Sequence, residues 1–183
     1  EYPMSLIAAV EQVNQRQKQV LGNKIVEYFS SRGGLRGKTI GVLGLAFKPN
    51  TDDVREAPAR ILIDQLLRAG ASVRVYDPVA MDTAKAAFPF RDQVTWCQSE
   101  LEVSQNADAL ALITEWKQFR FLDFHELLEA MHGNAFFDGR NQYKPSDMAQ
   151  RGFDYISIGQ SMATASLTDR QTHFEEEAPA PTS

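Results

Sequence analysis

The chain has 183 residues, 43% of them hydrophobic and 23% charged, which suits one globular α/β domain with appendages. Its formal net charge of -5 and pI near 5.2 exclude the phosphate-seeking field of a nucleic-acid or membrane-surface protein. A single cysteine, Cys97, excludes an intramolecular disulfide. No apolar run approaches the ~18 residues of a membrane span. With no signal-peptide pattern at its start, the chain reads as a soluble cytoplasmic protein.

Residues 3–31 are expected to form one long helix. Pro3 fits a first turn, Leu6, Val10, Val13, Leu21 and Ile25 recur at helical spacing, and Gly33 and Gly34 stop it. Such a helix is on the order of 40 Å long, whereas a six-residue strand spans about 20 Å. It should therefore project beyond its own sheet and offer its remainder to another domain or subunit. After Gly37, strand and helix alternate. "TIGVLGLA" (39–46), "SVRVYDP" (72–78), "VTWCQ" (94–98), "ALALITE" (109–115), "AFFDG" (135–139) and "DYISIG" (154–159) read as strands. Helices are expected over 58–69, in "MDTAKAAF", as a turn in "SELEVSQNA", over 122–131 and after Pro145. Six β runs separated by helices predict an α/β, Rossmann-like, doubly wound parallel sheet. From 161 onward, Ser, Thr, Glu, Ala and Pro predict a disordered acidic tail, ending in "EEEAPAPTS". That gives three segments: a helix over 1–34, a domain over 35–160 and a tail over 161–183.

In such a sheet, ligands sit beyond the carboxyl ends of the strands. The segment "LGLAFKPNTDDVREAP" (43–58) leaves the first strand there, and Asp77 closes the second. A dinucleotide fingerprint G-x-G-x-x-G would need two glycines flanking one residue, but Gly41 and Gly44 are separated by two. The scaffold is Rossmann-like without that fingerprint. The loop instead places Lys48 and Arg55 near a helix start, where cations, exposed N–H groups and the helix dipole favour an anion such as a phosphate. Internal pairing with Asp52, Asp53 or Glu56 is the competing reading. Arg140, beyond the fifth strand, is likewise either an anion ligand or a partner of Asp138. Cys97, Trp116, Phe119 and Phe121 read as core and loop anchors. His125, His132 and His173 lack metal-ligand spacing, so no metal site is expected. No Ser-His-Asp arrangement can be assembled, and no residue here is expected to be catalytic.

Together "GKTIGVLGLAFKPNTDDVREAPA", "YDP", "ADALALITEWKQFR" and "FFDGRN" resemble the carboxyl-terminal part of the UDP-glucose/GDP-mannose dehydrogenase family, over about residues 4 to 160. The resemblance implies a UDP-sugar-binding domain joined by a long helix, also the homodimer interface, to an amino-terminal NAD-binding domain. It implies a four-electron oxidation of UDP-glucose at C6 with two NAD, through a cysteine thioester. It places Phe47, Lys48 and Arg140 against the nucleotide sugar and Arg55 toward NAD, the cofactor. "TEWKQFR" and "DGRN" resemble the UDP-glucose branch. A GDP-mannose or UDP-N-acetylmannosamine dehydrogenase stays open, as does a non-catalytic nucleotide-sugar-binding or dimerisation module. The family's Gly-Gly-Ser-Cys-type loop, its NAD fingerprint and its catalytic lysine and asparagine are absent, so the chain is expected to be a fragment with no activity of its own. Ala57 stands where the family usually has serine, giving up a helix cap worth ~1 kcal/mol.

Overall fold

The computed structural model describes residues 5–89 and 92–165, with side chains from residue 12 onward. Six strands form one parallel sheet: β1 (Thr39–Leu43), β2 (Ser72–Tyr76), β3 (Val94–Trp96), β4 (Ala109–Leu112), β5 (Ala135–Asp138) and β6 (Asp154–Ser157). Their order is β3-β2-β1-β4-β5-β6. That is the doubly wound order, with its switch point between β1 and β4. Helices α1 (Ser5–Ser30), α2 (Pro58–Arg68), α3 (Met81–Ala87), α4 (Glu100–Ser104), α5 (Phe124–Ala130) and α6 (Pro145–Gln150) complete the α/β architecture. The expected alternation is present. The strands are shorter than the apolar runs that announce them, because residues 44–46 and 113–115 leave the ladder to build loops. A 3₁₀ helix over Lys117–Phe121, absent from the sequence reading, delays α5 to Phe124.

Strands β4 and β5 are buried along their full length, as expected where helices cover both faces. Gly41 in β1 is required by packing: a Cβ there would lie 2.5 Å from Leu110 Cδ2 and 2.6 Å from Val103 Cγ1 of α4. On α1, Leu21, Ile25 and Phe29 recur every fourth residue, are buried, and join the core. Residues 12–17 of the same helix are exposed throughout, and Val13 is 62% exposed. The helix thus runs beyond the surface it covers. The start of the expected helix, residues 3 and 4, lies outside the described residues. Residues 161–165, expected to be unstructured, pair instead: Tyr155 and Ala163 exchange backbone hydrogen bonds, and Ala165 N–H donates to Asp154 at 3.0 Å. Residues 166–183 lie outside the described residues.

At the amino edge of the sheet, Asp108 ties β1 to the entry of β4. It accepts from Thr39 N at 2.8 Å and Lys38 Nζ at 3.0 Å, with His132 Nδ1 also at 3.0 Å. Burial raises this carboxyl's pKa, but the bonds from Thr39, His132 and Lys38 outweigh it and hold the group below the usual range. A carboxyl depressed on folding stabilises above its unfolded pKa of ~4 and loses that contribution as pH falls through the folded value. Asp108→Asn should therefore lower the unfolding free energy by about 1–3 kcal/mol at neutral pH. The gap from the unsubstituted protein should shrink at acid pH, as urea unfolding at both conditions will show.

Candidate functional site

At the carboxyl edge, the loop after β1 is built on a buried acid. Asp77, 1% exposed, accepts through Oδ2 from Leu45 N at 2.7 Å, Ala46 N at 3.1 Å and Trp116 Nε1 at 3.1 Å. Its Oδ1 accepts from Val79 N at 2.9 Å and Ala80 N at 2.8 Å. Three loops, after β1, β2 and β4, thus converge on one carboxylate. Gly44 (φ 92°) is needed at the crossing, where a Cβ would lie 2.6 Å from Thr114 Cβ. Thr114 Oγ1 donates to Ala46 O at 2.6 Å, and Phe47 N donates to Asp53 O at 2.8 Å, closing the loop above its buried base. Beyond that closure Phe47 and Lys48 are exposed.

A second buried acid organises the loop after β5. Asp138, fully buried, accepts from Arg140 N at 2.7 Å, Gln142 N at 2.7 Å and Tyr155 Oη at 2.7 Å. Burial and the Asp138 carboxylate push the Tyr155 phenol well above its ordinary pKa. Asp138 thus holds the backbone of Arg140, not its side chain. The guanidinium turns back over β4 instead: Nε donates to Ile113 O at 2.5 Å, Glu115 Oε2 lies 3.0 Å from Nε, and Nη2 reaches Phe47 O at 3.4 Å. The expected alternative partner, Asp138, is therefore replaced by Glu115. Although Glu115 Oε2 is close enough for an ion pair, it has no hydrogen bond of acceptable geometry, since the Nε–H points at Ile113 O.

These loops border a cleft of about 630 Å³ lined by Phe47, Lys48, Ile113, Glu115 and Arg140 from the sheet edge. Pro58 and Leu62 close it at the start of α2, and Asn14, Lys18 and Leu21 of α1 form its far wall. The cleft brings Phe47, Lys48 and Arg140 together, three residues well separated in sequence. It leaves out Arg55, whose guanidinium is 88% exposed and forks onto Asp53, with Nε at 3.0 Å from Oδ1 and Nη2 at 2.9 Å from Oδ2. These bonds hold the Asp53 carboxyl down at about 2. For Arg55, internal pairing is the observed arrangement.

Sequence reasoning missed Lys18 and Glu115, and it offered Glu56 as a partner of Lys48 or Arg55, whereas Glu56 pairs with Lys18. Lys18 Nζ lies 2.9 Å from Glu56 Oε2, across 38 positions of sequence. Trp116 and Phe119 are buried as expected, but Phe121 is 85% exposed, because the 3₁₀ turn swings it outward. Cys97 is buried, and desolvation raises its thiol's pKa, which keeps it an inert core residue. As expected from the sequence, Ala57 stands at the N-cap of α2 without a side-chain cap.

The fold defines a Rossmann-like α/β domain with a cleft at its switch-point edge lined by Lys18, Lys48 and Arg140. Residues 41–145 match the UDP binding domain of the UDP-glucose/GDP-mannose dehydrogenase family. The chain belongs to that family. It is 43% identical over 165 residues to the UDP-glucose 6-dehydrogenase of Pseudomonas aeruginosa, a match covering 88% of this chain and 36% of the relative. Among solved structures it resembles a UDP-glucose dehydrogenase from Pyrobaculum islandicum, with TM-score 0.66 and 33% identity, covering 88% of this chain and 33% of that one. A UDP-D-ManNAc dehydrogenase from Pyrococcus horikoshii is similar too, with TM-score 0.68 and 26% identity, covering 87% and 34%. The chain thus spans about a third of the length of these relatives.

The loop framework is directly testable. Asp77→Asn keeps the shape but turns an amide N–H₂ toward groups that only donate. It should cost about 3 kcal/mol, as for a charged acceptor lost beneath buried donors. Trp116 fluorescence should shift as the indole loses its partner, in step with a lower thermal midpoint.

Proposed function

We propose that the cleft binds the diphosphate and sugar of UDP-glucose, and that the domain is the UDP-sugar-binding part of an NAD-dependent UDP-glucose 6-dehydrogenase. The observation that carries the reading is the convergence of Phe47, Lys48 and Arg140 on one cleft at the switch-point edge. Lysine offers a mobile point charge, and arginine a planar fork whose Nη edge is left for phosphate once Nε is held by Ile113 O. Segment 35–160 is the binding unit in this reading. Segment 1–34 links it to a nucleotide-binding partner domain and pairs two copies, which the exposed stretch 12–17 and the exposed Val13 and Val26 support.

The oxidation itself would convert the C6 alcohol of UDP-glucose to a carboxylate while reducing two NAD. The residues of this domain do not fit NAD at their own switch point. Both oxygens of Asp77, the acid that would meet a ribose, already accept from backbone and indole N–H groups, and Gly44 is packed against Thr114. Cys97 is buried and is not the thiol of a covalent intermediate. In this reading NAD and the reactive cysteine come from the partner domain. Arg55, exposed outside the cleft, exchanges Asp53 for the cofactor when the domains meet.

Calorimetric titration with UDP and UDP-glucose tests the assignment. Arg140→Ala and Lys48→Ala should each weaken binding roughly ten- to a hundredfold, the loss of one charge-assisted contact. Arg55→Ala should leave UDP affinity of this chain nearly unchanged and raise the apparent KM for NAD in an active dehydrogenase that includes it. Equal UDP-glucose affinity in the unsubstituted chain, Lys48→Ala and Arg140→Ala would refute the site.

A further inference from the structure

We propose that Lys18, on α1, is a third cation of the cleft, held in reserve by Glu56 and released to the phosphates of a bound nucleoside diphosphate. The inference rests on the reading of the cleft as the UDP-sugar site.

The ion pair is asymmetric. Lys18's side chain is only 16% exposed, while that of Glu56 is 76% exposed. The ammonium is therefore fixed at the wall of the cleft, whereas the carboxylate can move into water at little desolvation cost. Exposed pairs of this kind are weak. Phosphate, offering charge-assisted bonds from several oxygens, is the stronger acceptor for the same N–H groups. Both residues line the cleft together with Lys48 and Arg140.

Charge balance points the same way. In the resting cleft Lys18, Lys48 and Arg140 face Glu56 and Glu115, and the two acids occupy Lys18 and Arg140. One excess cation is too little for a diphosphate, so a bound one must draw on a cation already paired. Arg140 offers only its Nη edge, its Nε being held by the Ile113 carbonyl beside Glu115, which leaves Lys18 as the pair that opens fully without breaking a backbone contact. Glu56 also has φ 56°, whereas the other described non-glycine residues at positive φ, Asn50, Asn106 and Asn141, are asparagines, which tolerate that region. The residue that restrains Lys18 thus sits on strained backbone where the loop meets α2.

Isothermal titration of the 183-residue chain with UDP at low ionic strength separates a reserve ligand from a mere tie between helix and loop. Lys18→Met should weaken UDP binding about tenfold, whereas Glu56→Gln, which frees the lysine, should tighten it several-fold. A pair that only ties α1 to the loop predicts no such opposition, so two changes of the same sign, or no change in either variant, overturn the proposal. Should Lys18→Met fail to fold by circular dichroism, Glu56→Gln decides alone: tighter binding supports the proposal, and equal or weaker binding overturns it. If the unsubstituted chain binds no UDP, the cleft assignment falls and this inference with it. If that chain binds UDP and the two variants match it, only the inference falls.

Discussion

The carboxylate of Asp77 is the constraint on which the site depends. A parallel sheet of three- to five-residue strands ends with loop N–H groups that cannot all reach water, and buried unpaired donors cost free energy comparable to a lost hydrogen bond. Asp77 gathers four backbone N–H groups and an indole N–H from three separate loops. Its cost of burial is offset because every lone-pair direction is used. This is also why the acid has lost the role it would have in a dinucleotide-binding sheet. A carboxylate saturated with protein donors has nothing to offer a ribose.

Asp138 repeats the device three strands away, and together the two acids divide backbone from side chain. Loop backbone is fixed from below, so Phe47, Lys48 and the outer edge of Arg140 are positioned without being consumed. Arg140 illustrates the division: its N–H belongs to Asp138, its Nε–H to Ile113 O, and its Nη groups face Phe47 O and the cleft. A guanidinium held by one edge loses less rotamer freedom on gripping a ligand than a free one.

Much of this was legible in the chain. Apolar runs of strand length separated by amphipathic helices dictate the sheet, and the motifs around Phe47, Lys48 and Arg140 placed those residues at strand ends. Strand ends were overestimated because "GLA" and "ITE" are as apolar as the strands they follow. Their departure from the ladder is driven by Asp77 and Thr114, distant in sequence. Lys18 and Glu115, and the pairing of Glu56 with Lys18, were illegible for the same reason. Helical periodicity says which face of α1 is apolar, and Lys18 adjoins the buried Leu21 face only once α1 is laid across β5 and α2. Phe121 went wrong in the opposite direction, since composition made it a core residue and only the 3₁₀ turn decides that it points outward.

The same helix explains why the cleft is more than a sheet edge. Leu21, Ile25 and Phe29 bury the second half of α1 in the core. A side chain at Lys18 is therefore anchored less than one turn from Leu21. Residues 12–17 of the same helix stand in solvent. Asn14, Gln17 and Lys18 line the cleft along that solvated stretch, so its far wall is built where the helix leaves the core. Lys18 stands where the exposed residues 12–17 give way to the buried Leu21 face.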